Sequence, residues 1–277
     1  VYSLLNSVDA PCNNSPTFSN KPVPFACVGQ RFCFNHGAND IDGDSITYQL
    51  ITPLDDAITP VTYAWPFSNT QPVVSAPPVI FSSISGDICM VPTQADVTVF
   101  AVLVSEYRNG VLIGQVERDI QLTVNACNNF LPTMTGINGT PFFTKTICAN
   151  VPFNFWAATI DADLITDTTT VEWDFGIAGA NFITTGGKRD SAFFSWTPTT
   201  ADISNSPYCF TATVKDNHCP YLGLQVFSFC FTVCGVEADA GPDQSVACGA
   251  VANLSGSAIS ACGSMTYRWL PSGTAGQ

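Results

Sequence analysis

The chain repeats itself, and an internal repeat constrains a fold strongly because one structural unit must be built twice. Residues 27–124 lie over residues 148–233. CVGQRFCF at 27–34 matches CANVPFNF at 148–155 with both aromatics in register, MVPTQAD at 90–96 matches WTPTTAD at 196–202, and FAVLVSE at 100–106 matches FTATVKD at 210–216. Each copy is about 110 residues long, the size of one β-sandwich. Residues 97–107 are rich in β-branched and aromatic side chains, Asn109-Gly110 is a strong hairpin signal, and residues 111–124 form the returning arm. The second copy places its hairpin arms at 208–216 and 224–233, and no segment carries a capped helical period. The sequence therefore predicts an all-β chain with sandwiches at 13–127 and 128–235. Residues 1–12 read as the last strand of a preceding module. Residues 236–277 read as the start of a further unit, too short to close a core of its own.

Nine basic against twenty-two acidic side chains leave a net charge of -13, which excludes nucleic acid as a partner. Twelve cysteines without a C-x-x-C pair argue against a zinc module and for disulfides made in an oxidising compartment, so the chain is expected to be secreted, extracellular or cell-surface. No apolar run reaches eighteen residues, and no membrane insertion is expected. The start at Val1, without Met or a signal peptide, reads as a processed or excised end.

Residues 39–48, NDIDGDSITY, resemble the acidic segment of cadherin-like immunoglobulin-fold repeats. EYRNG at 106–110, with Arg118-Asp119, resembles versions found in large surface proteins of the Bacteroidota. ADAGPDQ at 238–244, LSG at 254–256 and YRW at 267–269 are similar to the start of a PKD domain. The resemblance implies tandem immunoglobulin-like (cadherin-like) β-sandwiches as in type IX-secreted proteins and gliding-motility adhesins. It further implies a non-enzymatic structural or adhesive segment of a long secreted cell-surface protein or filament, acting as a disulfide-stiffened rod. Its partners would be neighbouring modules of the same chain, with surface glycans or other cell-surface proteins. A carbohydrate-binding module, or the accessory region of an extracellular hydrolase, is the alternative.

In such a sandwich the loop after the second strand and the end of the sixth share one end of the module. The repeat aligns Asp42 and Asp44 with Asp161 and Asp163, and Glu106 with Asp216, so these carboxylates should converge. Asn13 and Asn14 in the first copy, and Asn128 and Asn129 in the second, enter at the same end and add amide oxygens. Calcium takes six to eight oxygen ligands at flexible geometry, which such a set can supply. The plain alternative is a tight Asp-Gly-Asp turn bonded to its own backbone.

Cys33 and Cys89 fall on the predicted second and fifth strands, and their counterparts Asn154 and Ser195 are lost together, as bonded partners would be. Cys27 with Cys127, and Cys148 with Cys234, would each close a module at the meeting of its first and last strands. Cys209 and Cys230 straddle the second hairpin and are paired on that ground. Cys12 belongs with the preceding module, and Cys219, Cys248 and Cys262 stay unassigned.

Tyr63, Trp65 and Phe67 alternate in a Pro-rich insert at 52–85 that the second copy lacks, presenting either a ring platform for a sugar or rings that enter a core. Phe153, Phe155, Trp156, Phe193, Phe194 and Trp196 read as core. The only histidines, His36 and His218, have no serine elbow or H-E-x-x-H context, so no catalytic residue is predicted. Ser45, Thr168 and Ser191 follow Asp in the D-[ST]-apolar pattern that resembles the O-glycan acceptor of exported Bacteroidota proteins, with plain surface hydroxyls as the alternative.

Overall fold

The computed structural model describes residues 3–21, 25–56, 58–163, 167–218, 222–239 and 241–260, and no α-helix occurs among them. The first copy contains β1 (Ser3–Leu5), β2 (Thr17–Phe18), β3 (Phe25–Cys27), β4 (Phe32–Phe34), β5 (Ala38–Asn39), β6 (Ser45–Ile51), β7 (Ile80–Phe81), β8 (Ile88–Met90), β9 (Asp96–Arg108) and β10 (Val111–Asn125). One sheet runs β1-β10-β9-β6, with β3 parallel to β10, and faces the sheet β4-β8-β7. The second copy contains β11 (Thr133–Met134), β12 (Thr144–Cys148), β13 (Phe153–Ile160), β14 (Thr170–Trp173), β15 (Asn181–Thr184), β16 (Ser191–Trp196), β17 (Tyr208–Lys215) and β18 (Leu224–Cys234). Its sheets are β12-β18-β17-β14 and β11-β13-β16-β15, the same wiring as the first copy. Beyond it, β19 (Val236–Asp239) and β20 (Ser257–Ser260) form a two-stranded ribbon.

The β9–β10 hairpin turns at Asn109 and Gly110, whose φ values of 52° and 78° are those of the tight turn that Asn-Gly favours. Residues 3–5 were expected to belong to a preceding module. Instead β1 pairs antiparallel with β10, Ser3 opposite Val116, as an edge strand of the first sandwich.

Alternation decides which rings enter the cores. β13 and β16 bury Phe153, Phe155, Phe194 and Trp196, and Phe155, Phe194, Phe210 and Phe229 stack through centroid separations of 5.0–5.2 Å. Trp156 and Phe193, expected in the core, fall on the other parity and are exposed.

Three bridges lie wholly within the described residues: Cys27–Cys127, Cys33–Cys89 and Cys209–Cys230. The expected Cys148–Cys234 bridge does not form. Their sulfurs stand 3.8 Å apart, Cys148 is a free thiol, and Cys234 is disulfide-bonded elsewhere. Cys27 faces Asn125 and bonds to Cys127 past the end of β10, whereas Cys148 faces Cys234, whose sulfur is already taken by another bridge. Cys12 and Cys248 are free, and Cys219 and Cys262 lie outside the described residues.

The two sandwiches lie side by side along their length instead of end to end, which corrects the expected rod. Gln30 of the first copy donates to the carbonyl of Asn129 at 2.7 Å and accepts from the Leu131 N–H at 2.7 Å, so the connecting segment doubles back. The seam then continues through the Cys33 N–H donating to Gln225, Asn35 donating to Ser228, Ser228 donating to Asp87, and Asn20 donating to Thr211, ending where Ser45 meets Ser206. Val226 packs into the first core, while Cys33 packs into the second. In a straight rod Gln225, Val226 and Ser228 would be solvated; here all three are buried.

Among the described residues neither ring nitrogen of the buried His36 has a hydrogen-bond partner. Burial, aided by the charge of Arg118, lowers its pKa from 6.5 to about 3. The folded state therefore refuses a proton that the unfolded chain accepts. Stability is full above about pH 6.5 and falls as pH drops from there toward 3. At pH 5 the loss should be roughly 2 kcal/mol. His36→Leu should flatten that part of the pH profile, measured by denaturant unfolding at pH 7.5 and pH 5. Peptide mapping without reduction should return those three bridges, Cys234 in a further bridge and an alkylatable Cys148; a Cys148–Cys234 peptide would contradict the arrangement.

Candidate functional site

Each sandwich carries the same acidic pocket at the end where its chain enters. In the first copy the loop between β5 and β6 is wound round Asp40, whose Oδ1 accepts the N–H groups of Asp42 and Asp44 at 3.0 Å each. In the second copy the loop between β13 and β14 starts the same way, with the Asp163 N–H donating to Asp161 Oδ1 at 2.9 Å. The entering chain is pinned alike. The Asn14 N–H donates to Asp42 at 2.6 Å, and the Phe130 N–H donates to Asp163 at 2.9 Å. These bonds make Asp40 the counterpart of Asp161, Asp42 that of Asp163, and Asn13 that of Asn129. The predicted alignment of the loop was thus two residues out, because the second loop's extra length follows its first two acids.

The long hairpins supply the floor. Glu106 on β9 is fully buried, and neither carboxylate oxygen has a hydrogen-bond partner among the described residues. Burial raises its pKa to about 7; Asn13 opposes the shift, and the acids Asp40 and Asp44 add to it. Its counterpart Asp216 accepts from the Asn129 side chain at 2.8 Å and from the Gly223 N–H at 2.7 Å. Both acids face a glycine: a Cβ on Gly114 would run into Glu106 Oε2, and one on Gly223 into Asp216 Oδ2. Two residues after each acid comes a cationic or basic side chain that engages the loop. Arg108 donates to both oxygens of Asp44, at 2.8 and 2.5 Å, and to Asn13 Oδ1 at 2.8 Å, whereas His218 Nδ1 lies 3.0 Å from Asp167.

Asp161, Asp167 and Asp216 are all buried, and each offers an oxygen within 4.8 Å of the others. Asp161 Oδ2 has no hydrogen-bond partner among the described residues, and burial pushes the Asp161 pKa up; nearby Asp216 and Asp163 add to that, while the Asp163 N–H bond and Arg189 oppose it. The counterparts in the first copy are Asp40, Asp44 and the buried Glu106; Asp40 and Asp44 are half-buried and group with the exposed Asp42, and Asp40 Oδ2 is likewise without a partner among the described residues. Carboxylates crowded out of water require a shared proton or a cation between them. An all-oxygen donor set of this kind suits a hard divalent ion. Sequence reasoning missed Asp40 and Asp167. Matching first acid to first acid in D-x-D would have found Asp40; Asp167 carries no local signal, because a longer loop brings it in. Asn128 is exposed and outside the pocket, and Asn14 bonds to the outer edge of Asp42.

The other expected sites are placed differently. Trp65 is 93% exposed, but Tyr63 is half-buried with its hydroxyl donating to the Val99 carbonyl at 2.9 Å, and Phe67 is half-buried in an irregular turn, so the three rings form no common platform. Ser45 is exposed and hydrogen-bonded to Ser206. Thr168 and Ser191 are half-buried beside buried Asp167 and Asp190, so neither displays the acceptor pattern on an open surface.

No protein-family model and no curated protein matches the chain. Among solved structures it is similar to the Ig1–Ig2 fragment of Dpr2 in complex with DIP-Theta Ig1–Ig3, at 10% identity and a TM-score of 0.30, covering 79% of this chain and 99% of that one. It is also similar to zebrafish RET cadherin-like domains 1 to 4, at 8% identity and a TM-score of 0.25, over 77% of this chain and 47% of that one. A third is the endo-fucoidan hydrolase MfFcnA9 of glycoside hydrolase family 107, at 15% and 0.26, over 81% of this chain and 35% of that one. The chain is a tandem of immunoglobulin-like β-sandwiches. Among the described residues no helix is long and apolar enough to cross a membrane.

Gly223→Ala should destabilise the chain by about 1–3 kcal/mol, because its Cβ meets both Asp216 and the Pro132 ring. Gly187→Ala, where a Cβ has only one neighbour, at 3.8 Å, should be close to neutral in the same thermal melts.

Proposed function

We propose that the chain is a non-enzymatic structural or adhesive segment of a long secreted cell-surface protein, each sandwich of which is clamped by a divalent cation, calcium by its chemistry. Tandem immunoglobulin-like domains with disulfides are compatible with a structural or adhesive role. The observation that carries the cation reading is the repeated pocket, in which the buried Glu106 and Asp161 hold oxygens with no hydrogen-bond partner among the described residues. In the second copy Asp161, Asp167 and Asp216 would ligate the ion, with Asn129 bringing the connecting segment to it; in the first, Asp40, Asp44, Glu106 and Asn13 would do so. Arg108 already neutralises part of the first pocket, which favours the second as the tighter site. The third unit's motifs favour a PKD-like continuation of the array, as in type IX-secreted proteins of the Bacteroidota, with neighbouring modules of the same chain as partners.

A cation that binds only the folded chain stabilises it in proportion to the logarithm of its concentration. Millimolar calcium should raise unfolding stability by about 1–3 kcal/mol over chelator. Asp161→Asn with Asp216→Asn should abolish that gain, and in chelator should leave the chain as stable as the unmutated one or more so, because crowded charge is removed. Melting curves that coincide in calcium and chelator for the unmutated chain would sink the reading.

A further inference from the structure

The sheet β11-β13-β16-β15 is the broad face of the second sandwich turned away from the seam, and its outward residues fall into two rows of different chemistry. Trp156 stands opposite Phe193, which stands opposite Ile183; these are 42%, 54% and 65% exposed. Two residues along, Asn154 stands opposite Ser195, which stands opposite Asn181. Trp156, Phe193 and Ile183 of the first row, Asn154 and Ser195 of the second, and Asn138 border an open cleft of about 410 Å³, within the range of small-ligand sites. No ionisable side chain lines it.

The cleft is held in shape before any ligand arrives. The Trp156 ring rests over Gly139, where a Cβ would come within 2.7 Å of Cη2, so the glycine provides its seat. Asn138 takes a left-handed conformation at φ 53° and accepts the Trp156 N–H at 3.2 Å, which ties that turn to β13. The ring is therefore seated against Gly139, half in solvent, and borders the cleft.

We propose that this face binds a neutral saccharide, a sugar ring laid on the Trp156–Phe193–Ile183 row with its hydroxyls directed to Asn154, Ser195 and Asn138. The ligand class follows from the two rows. A purely apolar partner would cover the amides and the hydroxyl without satisfying them. A charged ligand would find no counter-charge in the lining, and an anion would meet a chain of net charge -13. A pyranose has an apolar C–H face for the rings and a rim of hydroxyls that both donate and accept, as amides and serine do. The site lies on the second sandwich's outer sheet, apart from both acidic pockets, so it does not depend on a bound cation.

The test titrates the full chain with neutral tetrasaccharides of glucose, mannose and xylose, and with tetragalacturonate as the charged control, up to about 10 mM. At least one neutral tetrasaccharide should bind, more tightly than the control and equally well in calcium and chelator. Amide shifts in the unmutated chain should map to Asn138, Asn154, Trp156 and Ser195. Trp156→Ala and Phe193→Ala should each weaken binding about tenfold or more, and Asn154→Ala less, with thermal melts verifying the fold. Absence of neutral-sugar binding, shifts mapping elsewhere, or affinity that survives Trp156→Ala with Phe193→Ala would overturn the proposal. So would a dimer of the unmutated chain that those two substitutions dissolve, since the face would then be a contact between copies.

Discussion

β18 is buried on both of its faces, and the arrangement of the molecule depends on that. Phe227, Phe229 and Phe231 close the second core, while Val226 and Ser228 lie against the first sandwich. A strand with one wet face would alternate polar and apolar residues; LQVFSFCFTVC does not. Most polar members of this seam are neutral amides and hydroxyls, each bond contributing about 1 kcal/mol and each orphan costing more, and the Asp174 carboxylate accepts from Ser19 across it. Asp87 is drawn into the same network. Burial pushes its pKa up, and Ser228, Asn35 and Ser85 offset this by hydrogen bonding.

Strand order and hairpin register were legible from local chemistry: the Asn109-Gly110 turn of the first copy, the aromatic pairs that both copies share, and the joint loss of Cys33 and Cys89 at Asn154 and Ser195. The seam was not legible, since alternation identifies a face as apolar without saying what covers it. The continuous burial of β18 was visible in its composition, yet a strand between two sheets of one sandwich would read the same way. Trp156 and Phe193 were assigned to the core by residue type, where parity along β13 and β16 sends them outward.

The acidic pocket was partly legible. The types and approximate places of its acids followed from the repeat, and Glu106 and Asp216 lie where the aligned hairpins put them. What failed was the assignment of equivalence within the loops, because a loop has no period to fix its register. Asp167 enters through a longer excursion and takes the part that Asp44 plays after a short one. Gly114 and Gly223 acquire meaning only once the partner strand is known, each leaving room for the carboxylate across the ladder.

The doubled-back seam also bears on length. β1, which begins the first sandwich beside the start of β10, and the end of β18 that leaves the second lie at the same end of the pair, where Ser45 meets Ser206. The chain therefore enters and leaves the pair on one side, and the folded pair adds little to the separation between residues 3 and 234. β9 alone has 13 residues, a span of roughly 40 Å, and opening the seam would release about twice that while leaving both sandwiches intact. What would have to part is a row of side-chain hydrogen bonds, two of them to the carboxylates of Asp87 and Asp174, with Val226 and Cys33 leaving the opposite cores.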